Sequence, residues 1–248
     1  MDLGLDGRTA AVAAGSAGLG FGTAKALVEA GVRVVICGRD AAKLDDAVAR
    51  LGSGASGFAC DVSTDAGGRE FAERAIDVLG AVDILVANGG GPPPGGFAST
   101  PEAEYLPALQ KNLLSVVAMC SAVVPGMRER RWGRVLAITS SAVRQPNPGL
   151  ILSNTARSGV TAFLKTLSRE VAADGVTVNT IQPGIHATDR ITQLYGATPD
   201  VSTLGIPAGF IGDPGDFGRI ATFMCSESAR FMTGVSLQVD GGAYPGLM

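Results

Sequence analysis

The strongest constraint on how this chain can fold is an alternation of short apolar runs with longer segments of helical period. "RTAAVAA", "VRVVIC", "SGFAC", "DILVA", "RVLAIT", "VTVNTI" and "SLQVD" have the length of strands and are mostly continuous in apolar residues, as strands covered on both faces are. Helical patterns lie between them, near residues 18–30, 40–51, 67–79, 101–128, 154–173 and 214–228. Alternating strands and helices predict an α/β fold with a parallel sheet and helices on both faces, joined by right-handed crossovers. The 248 residues contain no linker-like stretch, so one domain over 1–248 is expected. Residues 185–213 are rich in Gly, Pro and Thr and longer than an ordinary connection, which predicts a lid over a site.

The residues just after each apolar run matter as much as the runs themselves. The first six runs lead into "AGSAGLGFG", "GRD", "DVS", "NGGGPPPGG", "SS" and "QPGIHATD". Open parallel sheets bind ligands outside the carboxyl ends of their strands, so these glycines, hydroxyls and charges converge on one edge. Together they describe a nucleotide site with a substrate pocket beside it.

Composition narrows the setting. With 20 basic against 23 acidic residues the chain is mildly acidic, which argues against a nucleic-acid or anionic-membrane partner. The basic run "RERRWGR" (128–134) reads as cations at a helix carboxyl end. Cys37, Cys60, Cys120 and Cys225 have no CxxC or metal-ligand spacing and read as small core residues in a reducing compartment. The amino terminus is unlike a signal peptide, and "LLSVVAMCSAVVPGM" reads as too short to span a bilayer, so a cytoplasmic protein is expected.

Gly15, Gly18, Gly20 and Gly22 fall between the first strand and the first helix, where glycines let the backbone approach a pyrophosphate and the helix amino end supplies N–H donors. After the second strand, NAD-preferring folds carry an acid for the adenosine ribose. Here Cys37 and Gly38 are followed by Arg39, so the acid is missing and a cation suits the 2′-phosphate of NADP(H).

"AGLG" (17–20), "CDVS" (60–63), "DILVANGG" (83–90), "KNLLS" (111–115), "GRVLAITSS" (133–141), "VTVNTIQPG" (176–184) and "TGVSLQVDGG" (233–242) resemble, in order and spacing, the short-chain dehydrogenase/reductase family. The likeness is closest to the branch of 3-oxoacyl-carrier-protein reductases. It implies a single Rossmann-type domain with a seven-stranded parallel sheet, a small carbonyl substrate, and a homo-tetramer packed partly through the 101–128 and 154–173 helices, or a dimer. It further implies cofactor contacts from Gly15, Ser16, Gly18, Leu19 and Gly20 at the phosphates and from Asp61 and Val62 at the adenine. Asn88 is implied beside a ribose, and Pro183, Gly184, Ile185 and Thr188 near the nicotinamide. Ser140 takes the place of the serine that hydrogen-bonds the substrate carbonyl, and Asn112 that of the asparagine holding a relay water. Each has a plainer alternative: Asp61 as a helix N-cap, Asn112 as a polar residue inside a helix, Ser140 as a strand-end hydroxyl.

The departures are as informative. Ala14 stands where the family has its first fingerprint glycine, and Ala87 where it has the first asparagine of "NNAG". The active "YxxxK" has become "SNTAR", with Ser153 for the tyrosine and Arg157 for the lysine. A reductase-like branch that also lacks the full set carries a "GGPPPG" loop similar to the one here. Serine is a far weaker acid than a phenol and several bonds shorter. Arginine can still hold ribose hydroxyls but does not release a proton. Three readings stay open: a reductase with a substituted acid; a non-redox enzyme performing dehydration, cyclisation or isomerisation; and a non-catalytic nucleotide-binding member. For the first, His186 on the loop after Pro183-Gly184 is a candidate acid, with Tyr195, a water on Ser153, or an acidic group of the substrate as others. The mostly small, apolar lid hints at a neutral or apolar substrate.

Overall fold

The computed structural model describes residues 2–197 and 199–247; Thr198, inside the expected lid, and both terminal methionines lie outside them. The apolar runs become seven strands: β1 (Thr9–Val12), β2 (Arg33–Gly38), β3 (Ala55–Ala59), β4 (Ile84–Ala87), β5 (Gly133–Ile138), β6 (Val176–Pro183) and β7 (Ser236–Val239). They form one sheet in the order β3-β2-β1-β4-β5-β6-β7 with every pair parallel. The order reverses at β1, where Ala10 pairs with Val34 on one side and Ile84 on the other. That reversal opens the crevice in which such sheets bind ligands.

Side chains alternate across the sheet, so each strand feeds two cores. Ala11 and Ala13 meet α3 (Asp65–Leu79), α5 (Ser115–Glu129) and α6 (Ile151–Val171) through Phe71, Met119, Met127 and Leu164. Ala10 and Val12 face α1 (Gly18–Glu29), α2 (Ala41–Leu51) and α8 (Pro214–Met224) through Leu27, Leu44 and Phe217. Each such fully buried large side chain contributes about 1.5–3 kcal/mol. The expectation of strands buried on both faces fails at the two sheet edges: β3 is largely exposed and β7 only partly buried. Gly22 is also displaced from its expected place: it lies inside α1, where a Cβ would fall 2.1 Å from the Pro214 carbonyl oxygen, so it serves the α1–α8 crossing and not the phosphate loop.

The segment Glu102–Glu129 is one helical run of 28 residues, long and apolar enough to cross a membrane, where the sequence pattern predicts too short a stretch. It comprises a 3-10 turn (Glu102–Glu104), α4 (Tyr105–Leu109), a π-helical turn (Gln110–Leu114) and α5, and half of its most apolar window is buried, as in a core helix. All four cysteines are free and buried, and burial pushes the thiols of Cys37, Cys120 and Cys225 up to about 12. The basic run ends α5, with Arg128 and Arg131 paired to Asp174 and Arg130 to Asp83.

Candidate dinucleotide and active site

Three of the long helices spend their first free N–H groups on a side chain. Asp40 caps α2, Thr64 caps α3 and Asp213 caps α8. The opening of α1 has no such cap: its N-cap is Ala17, without a side-chain hydrogen bond and without an acid in the first turn, a state it shares with α6, whose N-cap is Leu150. Its amino-terminal donors and dipole are left for an external anion. The loop before it is tightly drawn, since Gly15 N–H donates to the Cys37 carbonyl at 2.9 Å and Ala14 holds φ 47°. A left-handed alanine costs about 1–2 kcal/mol, consistent with a position that other members of the fold give to glycine.

Glycine at this loop is required by close packing and backbone conformation, and leaves bare backbone of the kind a pyrophosphate would need. A Cβ on Gly20 would fall 2.6 Å from both the Ala14 carbonyl oxygen and Asn88 Nδ2, and Asn88 itself donates to Ala14 O at 3.2 Å. Gly18 has φ +56° and sits beneath Thr188, whose methyl is 3.3 Å from where a Cβ would be. Leu19 is half-buried against the α1–α8 core. Ser16 Oγ lies 2.6 Å from the position of a Gly38 Cβ, so the end of β2 touches the phosphate loop and places Arg39 beside it. Arg39 is exposed and has no ion-pair partner among the described residues. Asp61 does not cap α3; its carboxylate accepts from Ser63 N–H at 3.0 Å, and Val62 is buried in the core beneath. These residues fit a dinucleotide laid across the β1 crevice.

The chemistry would lie at the ends of β4 and β5. Ser140 follows β5 and accepts from Ala142 N–H at 3.1 Å, so its hydroxyl is a turn cap whose own proton is free to point outward. Asn112 is buried in the π-helical turn, donating to Ala108 O at 3.5 Å, and Lys111 O accepts from Ser115 Oγ. Such turns interrupt the regular ladder and often mark functional positions. A small cavity is lined there by Asn88, Lys111, Asn112, Thr139 and Arg157. Lys111, which opens the "KNLLS" motif but is not singled out by the sequence, lines this cavity from the π-helical turn.

Ser153 and Arg157 share a face of α6. Ser153 is 8% exposed and its hydroxyl makes no hydrogen bond to the described residues. Arg157 is a clamp: Nη1 donates to Ile138 O at 2.9 Å and Thr139 O at 3.0 Å, and Nη2 to Gly89 O at 3.4 Å. Desolvation, with a smaller push from Arg190, lowers its pKa to about 10, so it is still a cation at neutral pH.

His186 joins a different neighbourhood. It is 4% exposed, stacked edge-on against Phe217 of the α1–α8 core at 5.1 Å, and backed by Gly212 through a parallel bridge. Nδ1 lies 3.3 Å from Gly184 O. Pro183 ends β6, Gly184 N–H donates to Val239 O, and Ile185 O accepts from Gly212 N–H, so the segment after β6 is pinned at its base. Burial lowers the His186 pKa below the usual 6.5, against smaller opposing effects of the Gly184 carbonyl and Asp213. A depressed pKa means the folded state resists protonation, so stability is full above pH 6.5 and falls as pH drops from there through the folded value. His186→Ala is expected to cost about 2–3 kcal/mol by leaving a cavity. Thermal melts between about pH 7.5 and 5.5 should also lose part of the acid-side decline, while turnover of the folded fraction is unchanged.

Comparison with known proteins agrees with this geometry. The family model described as Enoyl-(Acyl carrier protein) reductase matches residues 13–244. A 3-oxoacyl-[acyl-carrier-protein] reductase of Vibrio harveyi is 34% identical over 241 residues, covering 97% of this chain and 98% of that one. A 7α-hydroxysteroid dehydrogenase complexed with NADH and 7-oxo glycochenodeoxycholic acid superposes with TM-score 0.90 at 29% identity, over 100% of this chain and 98% of its own. A short-chain oxidoreductase of Pseudomonas aeruginosa PAO1, described as containing an atypical catalytic centre, superposes with TM-score 0.90 at 29% identity, over 98% of this chain and all of its own. With its seven parallel strands, its uncapped first helix and this match along nearly its whole length, the chain belongs to the short-chain dehydrogenase/reductase family of oxidoreductases.

Proposed function

We propose that this protein is an NADP(H)-dependent reductase of a small carbonyl compound, of the 3-oxoacyl type or close to it, working with a proton donor other than tyrosine. The observation that carries the cofactor choice is Arg39, an exposed cation at the end of β2 without an ion-pair partner among the described residues, next to the contact between Gly38 and the phosphate loop. A guanidinium suits a charge-assisted fork with a 2′-phosphate. Arg39→Ala is expected to weaken NADPH binding by about 10–100-fold and NADH binding by less than about twofold. Titrations of both nucleotides measure this, and equal losses for the two would remove the assignment.

When bound, the nicotinamide supplies hydride. Ser140 donates its free proton to the substrate carbonyl oxygen and polarises it. Arg157 holds positive charge at the ends of β4 and β5, where negative charge develops on that oxygen. With no phenol on α6, the proton reaches the oxygen through Ser140 and water held in the cavity that Asn112 and Arg157 line. His186 is left out of this relay by its burial against Phe217. NADPH oxidation followed with 3-oxoacyl thioesters and free oxo acids tests the reading: turnover that falls at least about 100-fold in Ser140→Ala supports it. Absence of oxidation with every carbonyl compound tried counts against it.

A further inference from the structure

Two guanidinium groups bind carbonyls of the same proline-rich loop. Arg157, on α6, donates to Gly89 O; Arg190, in α7 (Asp189–Tyr195), donates from Nη2 to Pro92 O at 2.9 Å. Gly89 and Pro92 are three residues apart, so the two anchoring carbonyls are within about 10 Å of each other. The Arg190 guanidinium lies against Gly91, where a Cβ would be 3.5 Å from Nη2 and 3.6 Å from Nε. Burial is the main reason the Arg157 pKa falls, and the charge of Arg190 is the second, so the two cations feel each other. Neither has a carboxylate partner among the described residues. The cavity beside Arg157 is lined by no acid.

Like charges gathered in a partly desolvated place without a counter-ion are costly, and a ligand anion relieves that cost. The dinucleotide phosphates already have the amino end of α1 and Arg39, at the β1–β2 side of the sheet. The Gly89–Pro92 loop follows β4, across β1 from β2. We propose that Arg190, with Arg157 behind it, recognises a free carboxylate on the substrate, so that the substrate is an oxo acid. This rests on the reductase reading, and it replaces the neutral substrate hinted at by the apolar residues of 185–213. Arg190 keeps the N–H groups not used on Pro92 O for a two-pronged bond to the carboxylate.

The test uses acetoacetate, the smallest free 3-oxo acid, against its methyl ester, titrated calorimetrically into the full chain saturated with NADP+. The acid is expected to bind about 10–100-fold more tightly than the ester. Arg190→Met should abolish that preference and Arg190→Lys should keep part of it, both with NADPH affinity within about twofold of the parent. Equal binding of acid and ester, or binding of neither, overturns the proposal. A roughly tenfold loss of NADPH affinity in Arg190→Met also overturns it, by assigning the guanidinium to the cofactor phosphates. If the parent chain binds no NADPH, the reductase reading fails by itself. The acid–ester preference is then read on the cofactor-free protein, where its loss in Arg190→Met supports the anion site and its absence ends it.

Discussion

Ser153→Tyr is expected to raise turnover of a carbonyl substrate with NADPH by about 100–1,000-fold, within the range that a positioned general acid contributes. The backbone of α6 already presents position 153 on the face that carries Arg157, and the serine hydroxyl there is without a partner among the described residues. A phenol would extend from that point toward Ser140. Arg157 would remain nearby as the cation that lowers the phenol pKa from about 10. Ser153→Phe supplies the control, because it adds the same bulk without a proton. Initial rates at saturating NADPH separate the two variants: gain in tyrosine alone assigns the parent's slowness to its missing acid. Equal rates in both would mean that proton supply is not what limits this chain.

The second large effect concerns the clamp. Arg157→Met is expected to destabilise the fold by about 2–4 kcal/mol, because it leaves three strand-end carbonyls without the cation that now binds them. For a chain of this size that corresponds to a fall of roughly 4–16 °C in Tm. NADPH binding should weaken in parallel, since the ends of β4 and β5 and the amino end of α6 lose their common tie. Arg157→Lys keeps the charge but not the fork, and one ammonium cannot serve three carbonyls in this spread, so an intermediate loss of stability is expected. Scanning calorimetry of the three proteins checks the order. A lysine variant as stable as the parent would mean that the charge alone matters.

This clamp explains why part of the site is legible in the sequence and part is not. The seven apolar runs became strands within a residue or two, because a strand covered by helices on both faces must be apolar throughout, and that pattern is local. The exposure of β3 is not legible, since it depends on which strand ends the sheet. The phosphate loop can be read because glycine is a backbone requirement written as a residue type. Gly22 shows the limit: the same residue type, two positions on, is needed for a helix crossing. The partners of Arg157 are backbone carbonyls, which every residue has, so no motif announces them. Lys111 enters the cavity through a π-helical turn, and helical periodicity carries no trace of one. His186 lies in the expected segment, yet its packing against Phe217 of α8 is set by tertiary contact.

The central claim is that this site is built for NADPH-dependent carbonyl reduction despite the loss of the tyrosine. A calorimetric titration of the unmodified chain with NADPH, and with NADH alongside, tests it most directly. The expected result is saturable one-to-one binding of NADPH with at least about tenfold preference over NADH, as one charge-assisted phosphate contact at Arg39 would give. Failure to bind either nucleotide would contradict the account and leave the uncapped helix, the bare phosphate loop and Arg39 to another ligand.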